Sequence, residues 1–82
     1  MIFEDFYMDN EQISNRLEIV VASVGEFAQR YTLSNMEAYA YLRRFSGIEF
    51  LLKHYEPLHT LSVNEVMDDL KSLCQRNGGK VA

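Results

Sequence analysis

The amino-acid sequence predicts an all-α fold, a compact bundle of four short helices with no strands. Three observations carry that prediction. Apolar residues between Ile13 and Tyr31 recur at steps of three and four. Two serine–glutamate pairs, Ser34 with Glu37 and Ser62 with Glu65, stand at the spacing of capping boxes. Ser46-Gly47, Pro57 and Asn77-Gly78-Gly79 fall where the periodic stretches end.

The first helix opens at Asn10. Ile13, Leu17, Val20, Val21, Val24, Phe27, Ala28 and Tyr31 fall on one stripe, with Glu11, Asn15, Glu18, Glu26 and Arg30 facing the other way. Gly25 weakens this helix by about 1 kcal/mol relative to Ala. A period sustained over about five turns still outweighs a strand reading.

The second helix starts at the Ser34 cap and runs to about Phe45, with Met36, Tyr39, Ala40 and Leu42 expected inward and Leu33 stapling to Ala38. Ser46-Gly47 ends it, Gly47 being free to take the left-handed conformation. The third helix runs from Ile48 to about Glu56, apolar at Ile48, Phe50, Leu51, Leu52 and Tyr55. Pro57 stops it, because a proline pushes the preceding residue out of helical geometry. The fourth starts at the Ser62 cap, with Leu61 stapling to Val66. It places Val66, Leu70, Leu73 and Cys74 on one face and ends at Asn77-Gly78-Gly79.

Residues 10–79 therefore read as one helical domain, followed by a short tail at 80–82. Residues 1–9 read as an N-terminal arm, either unstructured or docked through Phe3, Phe6 and Tyr7 on a neighbouring chain. Met8 is an alternative start.

A chain of 82 residues makes one small domain. Such a domain buries only about 60% of its unfolded surface, so a disulfide, a metal or a second copy commonly supports it. Cys74 is the sole cysteine, which excludes an internal disulfide, and it reads as a small buried hydrophobe. The hydrophobic share of 48%, with five Phe and five Tyr, is high for a helical monomer of this length. Self-association as a dimer is the expectation.

The net charge of −4 comes with no basic stripe, so a protein partner fits better than nucleic acid. The first residues are acidic where a secretion signal is basic, and no apolar run approaches the roughly 18 residues that span a bilayer. A cytoplasmic location is expected.

No motif supplies a catalytic set, a cofactor site or a metal site. His54 and His59 flank Pro57, and Cys74 is distant in sequence, which does not make a zinc set. His59 reads as a side chain that bonds backbone at the turn. Asp68 and Asp69 are adjacent and diverge by about 100° on a helix, so they cannot share a proton. They form a solvated patch or one that receives an Arg. A phosphate loop, a Ser/His/Asp set and a CxxC pair are all lacking. The chain is expected not to be an enzyme.

The second and third helices resemble a helix-turn-helix in length, which keeps a small DNA-binding regulator as the alternative. Against it, Glu49 stands where a recognition helix needs a cation or an amide. Tyr39, Tyr41 and Phe45 cannot all share an inward stripe with Leu42. Some must reach a second surface, which makes Tyr41, Arg43, Arg44 and Phe45 candidate contact residues. His59, Asp68 and Asp69 complete the partner-binding set.

The run Tyr41-Leu42-Arg43-Arg44-Phe45-Ser46-Gly47-Ile48-Glu49-Phe50-Leu51, then His54-Tyr55-Glu56, His59-Thr60-Leu61-Ser62, Asp68-Asp69-Leu70 and Asn77-Gly78-Gly79, resembles a family of small bacterial proteins. That family is of the Bacteroides type, and its domain has no assigned function. Its Y-x-x-x-H-T run before the last helix is matched by Tyr55, His59 and Thr60, and the resemblance covers about residues 13–79. It implies a gene neighbour that looks like an ADP-ribosyltransferase, and a role for this chain as the antitoxin-like partner that binds and restrains, or escorts, that protein. Apart from the resemblance, a second alternative is an enzyme subunit that donates His59 and Asp69 to a composite site.

Overall fold

A computed structural model describes residues 10–80. It contains α1 (Asn10–Tyr31), α2 (Asn35–Arg44), α3 (Gly47–Lys53), α4 (Tyr55–Leu58) and α5 (Val63–Arg76), and no strand among the described residues. The arm at 1–9 and the last two residues of the tail lie outside them. With 22 residues, α1 is about 33 Å long and acts as the spine on which α2, α3 and α5 pack. The core takes Val24, Phe27 and Ala28 from α1, Ala38 and Leu42 from α2, and Leu51 from α3. Leu58 comes from α4, and Val66, Met67, Leu70 and Cys74 from α5.

Both capping boxes form. The Glu37 amide donates to Ser34 Oγ at 3.0 Å, and the Ser34 amide donates to Glu37 Oε1 at 2.8 Å. The corresponding distances for Ser62 and Glu65 are 3.2 and 3.0 Å. These bonds favour the ionised carboxyl and hold Glu65 below its ordinary value. The helix start they build thus persists above the usual carboxylate range and weakens as pH falls through it.

The far end of α5 closes with Gly78 at φ +97°, Gly79 N–H reaching Cys74 O at 2.8 Å and Gly78 N–H reaching Gln75 O at 3.1 Å. The same closure ends α1, with Leu33 N–H on Ala28 O at 2.8 Å. There the left-handed residue is Thr32, φ +56°. A β-branched side chain in that region is strained by about 1–2 kcal/mol, which the neighbouring Leu33 packing must offset.

Four expectations change. The left-handed residue between α2 and α3 is Ser46, φ +70°, rather than Gly47. Gly47 is the first residue of α3 and is buried, because Leu42 packs directly on its Cα.

The third helix does not run unbroken to Glu56 with Pro57 as its stop. It breaks at His54 (φ −108°, ψ 28°) and Pro57 sits inside α4, so the described residues hold five helices where four are expected, within the same all-α bundle. The ring of Pro57 clashes with the carbonyl four residues earlier, that of Lys53, which is where α3 ends. As the third residue of α4, Pro57 lacks an N–H that a first turn would leave unpaired anyway.

The inward residues of α2 are Ala38 and Leu42 with half-buried Tyr41. Met36 is 81% exposed, and Tyr39 and Ala40 also face outward. Lastly, Ile13, Leu17 and Val21 share the core-facing side of α1 and yet are exposed at 39, 56 and 70%.

Candidate interaction surface

Along α1, Ile13, Leu17, Val20, Val24, Phe27 and Tyr31 are spaced four, three, four, three and four, the spacing of a helix–helix seam. From Val24 onward the seam is filled by this chain's own helices, and Phe27 is wholly buried. Before Val20 no other described element fills it. A shallow hollow over Leu17 and Val21 is lined, among the described residues, by those two, Glu18 and Ala22, all from α1 itself. The first three turns therefore offer an apolar stripe that no other described element covers.

Around the helix from this stripe lies a groove of about 320 Å³ between α1, the α4–α5 turn and α5. Ile19, Ala22, Leu58, Val63, Val66 and Met67 give it an apolar lining. Glu18 and Glu26 of α1 also line it, about 12 Å apart along the helix, together with Tyr55 and His59. Tyr55 and His59 stack at 4.9 Å, Arg16 lies over the Tyr55 ring at 5.1 Å, and His59 Nε2 is 4.0 Å from Glu56 Oε1. No Lys or Arg lines the groove among the described residues, and neither Glu18 nor Glu26 is in an ion pair among them.

The residues singled out from the sequence do not gather into one site. Tyr41 and Phe45 are turned toward the core rather than outward. Their rings continue a ladder from Tyr31 and Phe27, with centroids 4.7, 5.6 and 4.9 Å apart along the series. The aromatic residue of α2 that reaches the surface is Tyr39. The Tyr41 hydroxyl is buried without a hydrogen-bond partner, and Gly79 sits against it so closely that a Cβ there would lie 2.5 Å away. Burial pushes that hydroxyl above its ordinary value, with Cys74 and Tyr31 adding to the effect. Burial likewise raises the Cys74 thiol to about 11, so it is no nucleophile at neutral pH.

Arg43 and Arg44 are exposed, and Arg44 lies over the Phe45 ring at 5.3 Å. Asp68 already has its Arg within the chain. Arg30 Nη1 is 3.5 Å from Asp68 Oδ1, and Arg30 Nη2 donates to Asn64 Oδ1 at 2.6 Å, tying α1 to α5. Asp69 is exposed. His59 enters the groove lining, and the turn hydrogen bond expected of it is made instead by Thr60 Oγ1 to Pro57 O at 2.8 Å. In α3, the candidate recognition helix, Ile48, Phe50 and Leu51 are spent on packing and Lys53 is the one cation.

No three His, Cys, Asp or Glu side chains converge among the described residues, and no described helix is long and apolar enough to cross a membrane. What the arrangement offers is apolar contact area with carboxylates beside it.

A family model for proteins of unknown function, DUF3791, matches residues 18–77. The chain belongs to that family. The DUF3791 match takes in the C-terminal part of α1 and all of α2–α5, hence the whole packed core and every lining residue of the groove except Asn15. It begins after Ile13 and Leu17, so the first turns of the exposed stripe stand outside the matched region. No curated protein and no solved structure matches the chain.

Proposed function

We propose that this chain is a non-enzymatic docking module that works by helix-to-helix contact, and that one of its partners is a second copy of itself. The observation that supports this reading is the exposed start of the α1 seam at Ile13 and Leu17, with exposed Val21 beside it. These side chains carry no hydrogen-bonding group, so two such stripes cover each other without leaving a polar atom unpaired.

Magnitudes set the strength of the contact. Partly exposed side chains of this size gain about 1 kcal/mol each when covered, since full burial is worth about 1.5–3 kcal/mol. Three from each copy give about 6 kcal/mol, against an association cost of about 4–15 kcal/mol, so this contact alone makes a weak dimer that forms only at high concentration.

Light scattering on the full chain is expected to rise toward two chain masses with concentration. The double variant Leu17→Glu/Val21→Glu is expected to stay at one mass with its helical circular dichroism unchanged. One chain mass for the parent at every concentration contradicts the reading.

We further propose, on the resemblance in sequence alone, a second partner: an ADP-ribosyltransferase-like protein encoded nearby, which the bundle binds and restrains, or escorts. Co-expression is expected to give one co-eluting complex and relief of the transferase's toxicity. Separate elution with undiminished toxicity removes that partner.

A further inference from the structure

We propose that the groove between α1 and α5 seats an amphipathic helix of a different protein, one whose apolar stripe is flanked by Lys or Arg residues about two turns apart. Four features of the groove select that occupant, and none of them depends on the dimer.

Its volume of about 320 Å³ lies at the low end for small-ligand pockets, and it is open along one side. It therefore suits the anchor side chains of a segment lying across it better than a ligand enclosed within it. The lining is apolar, and there is no sheet edge among the described residues to pair with an extended peptide. A helix satisfies its own backbone and asks only for apolar contact.

Charge sets the flanks. Glu18 and Glu26 line the groove two turns apart, and no described cation stands beside them in the lining. A partner helix running along α1 meets them with cations at the same interval. A second copy does not fit as occupant, because none of its described helices carries two Lys or Arg residues two turns apart.

The test uses two synthetic helical peptides with the same leucine stripe. One has Lys at two flanking positions eight residues apart, and the other has Glu there. Each is titrated into the full chain while the methyl resonances of Ala22 and Met67 are followed by NMR. The Lys peptide is expected to shift both methyls and to bind about tenfold more tightly than the Glu peptide, an advantage that shrinks with added salt. In Glu18→Lys/Glu26→Lys, two exposed substitutions, the preference is expected to reverse.

Equal binding of the two peptides overturns the proposal, as does an unreversed preference in the charge-swapped chain. Met67 shifts that grow with protein concentration in the absence of peptide would assign the groove to a second copy and also overturn it. Leu17→Glu/Val21→Glu is expected to bind the Lys peptide as the parent does, so failure of the dimer and failure of the groove are read separately.

Discussion

Replacing Phe27 by Ala is expected to lower stability by about 3–5 kcal/mol, the largest single effect in this chain. Phe27 is wholly buried, and its ring lies 4.7 Å from that of Tyr31 and 5.6 Å from that of Tyr41. It is therefore the point at which α1 holds α2. Truncation removes the transfer energy of a whole ring and leaves a cavity that the two tyrosines can only partly fill. A domain of 82 residues has about 4–12 kcal/mol of stability in total, so the variant stands at the edge of unfolding. Urea unfolding followed by circular dichroism measures it. A loss below about 1 kcal/mol would show that Phe27 is not the centre of the core.

Gly47→Val is expected to cost about 2–3 kcal/mol, for a reason opposite to that of Phe27→Ala. A Cβ at residue 47 would lie 2.8 Å from Leu42 Cδ2 and 3.1 Å from the Leu42 carbonyl oxygen. The methyl could swing aside, but the carbonyl belongs to the backbone of α2 and cannot move without shifting that helix. Leu42 is itself fully buried, which leaves its side chain no free space. The control is Ser46→Gly, which is expected to hold or raise stability, because the left-handed conformation belongs to residue 46. The reverse pattern, with Gly47→Val tolerated and Ser46→Gly damaging, would contradict the close-packing account. Both are read from the midpoint of thermal unfolding.

The contrast between residues 46 and 47 shows what the sequence conveys and what it withholds. Helix starts at Ser34 and Ser62 are readable because a capping box is closed by residues three apart, whatever the rest of the chain does. A Ser-Gly pair equally marks a break. Which of the two takes the positive φ depends on whether Leu42 needs the space above the other, and only packing decides that. The inward face of α2 differs from the expected one for a related reason. Met36 and Tyr39 are the larger apolar residues, yet α2 approaches α1 through small Ala38 and through Leu42, leaving the bulkier pair outside.

Pro57 marks a break correctly but in the wrong place, since its steric effect falls on Lys53 rather than on its neighbour. Nothing local announces the groove. It is assembled from Ile19 and Ala22 on one helix and Val66 and Met67 on another, more than 40 residues along the chain. The available hint was that α1 carries apolar residues beyond its main stripe, at Ile19 and Ala22, giving it two partners to face. The sequence marks Asp68 as part of a patch that can receive an Arg, but periodicity places that Arg, Arg30, on the solvent face, because a pairing across 38 residues has no periodic signature.

The uncovered length of the α1 seam is what the docking account depends on, and intermolecular contact between two such seams is directly observable. A mixed sample of isotope-labelled and unlabelled full chains, recorded with an isotope-filtered NOE experiment, reports methyl contacts between copies alone. The account predicts cross-peaks among the methyls of Ile13, Leu17 and Val21, lost in Leu17→Glu/Val21→Glu. A spectrum without such cross-peaks at millimolar concentration, together with a single-chain mass, would contradict it.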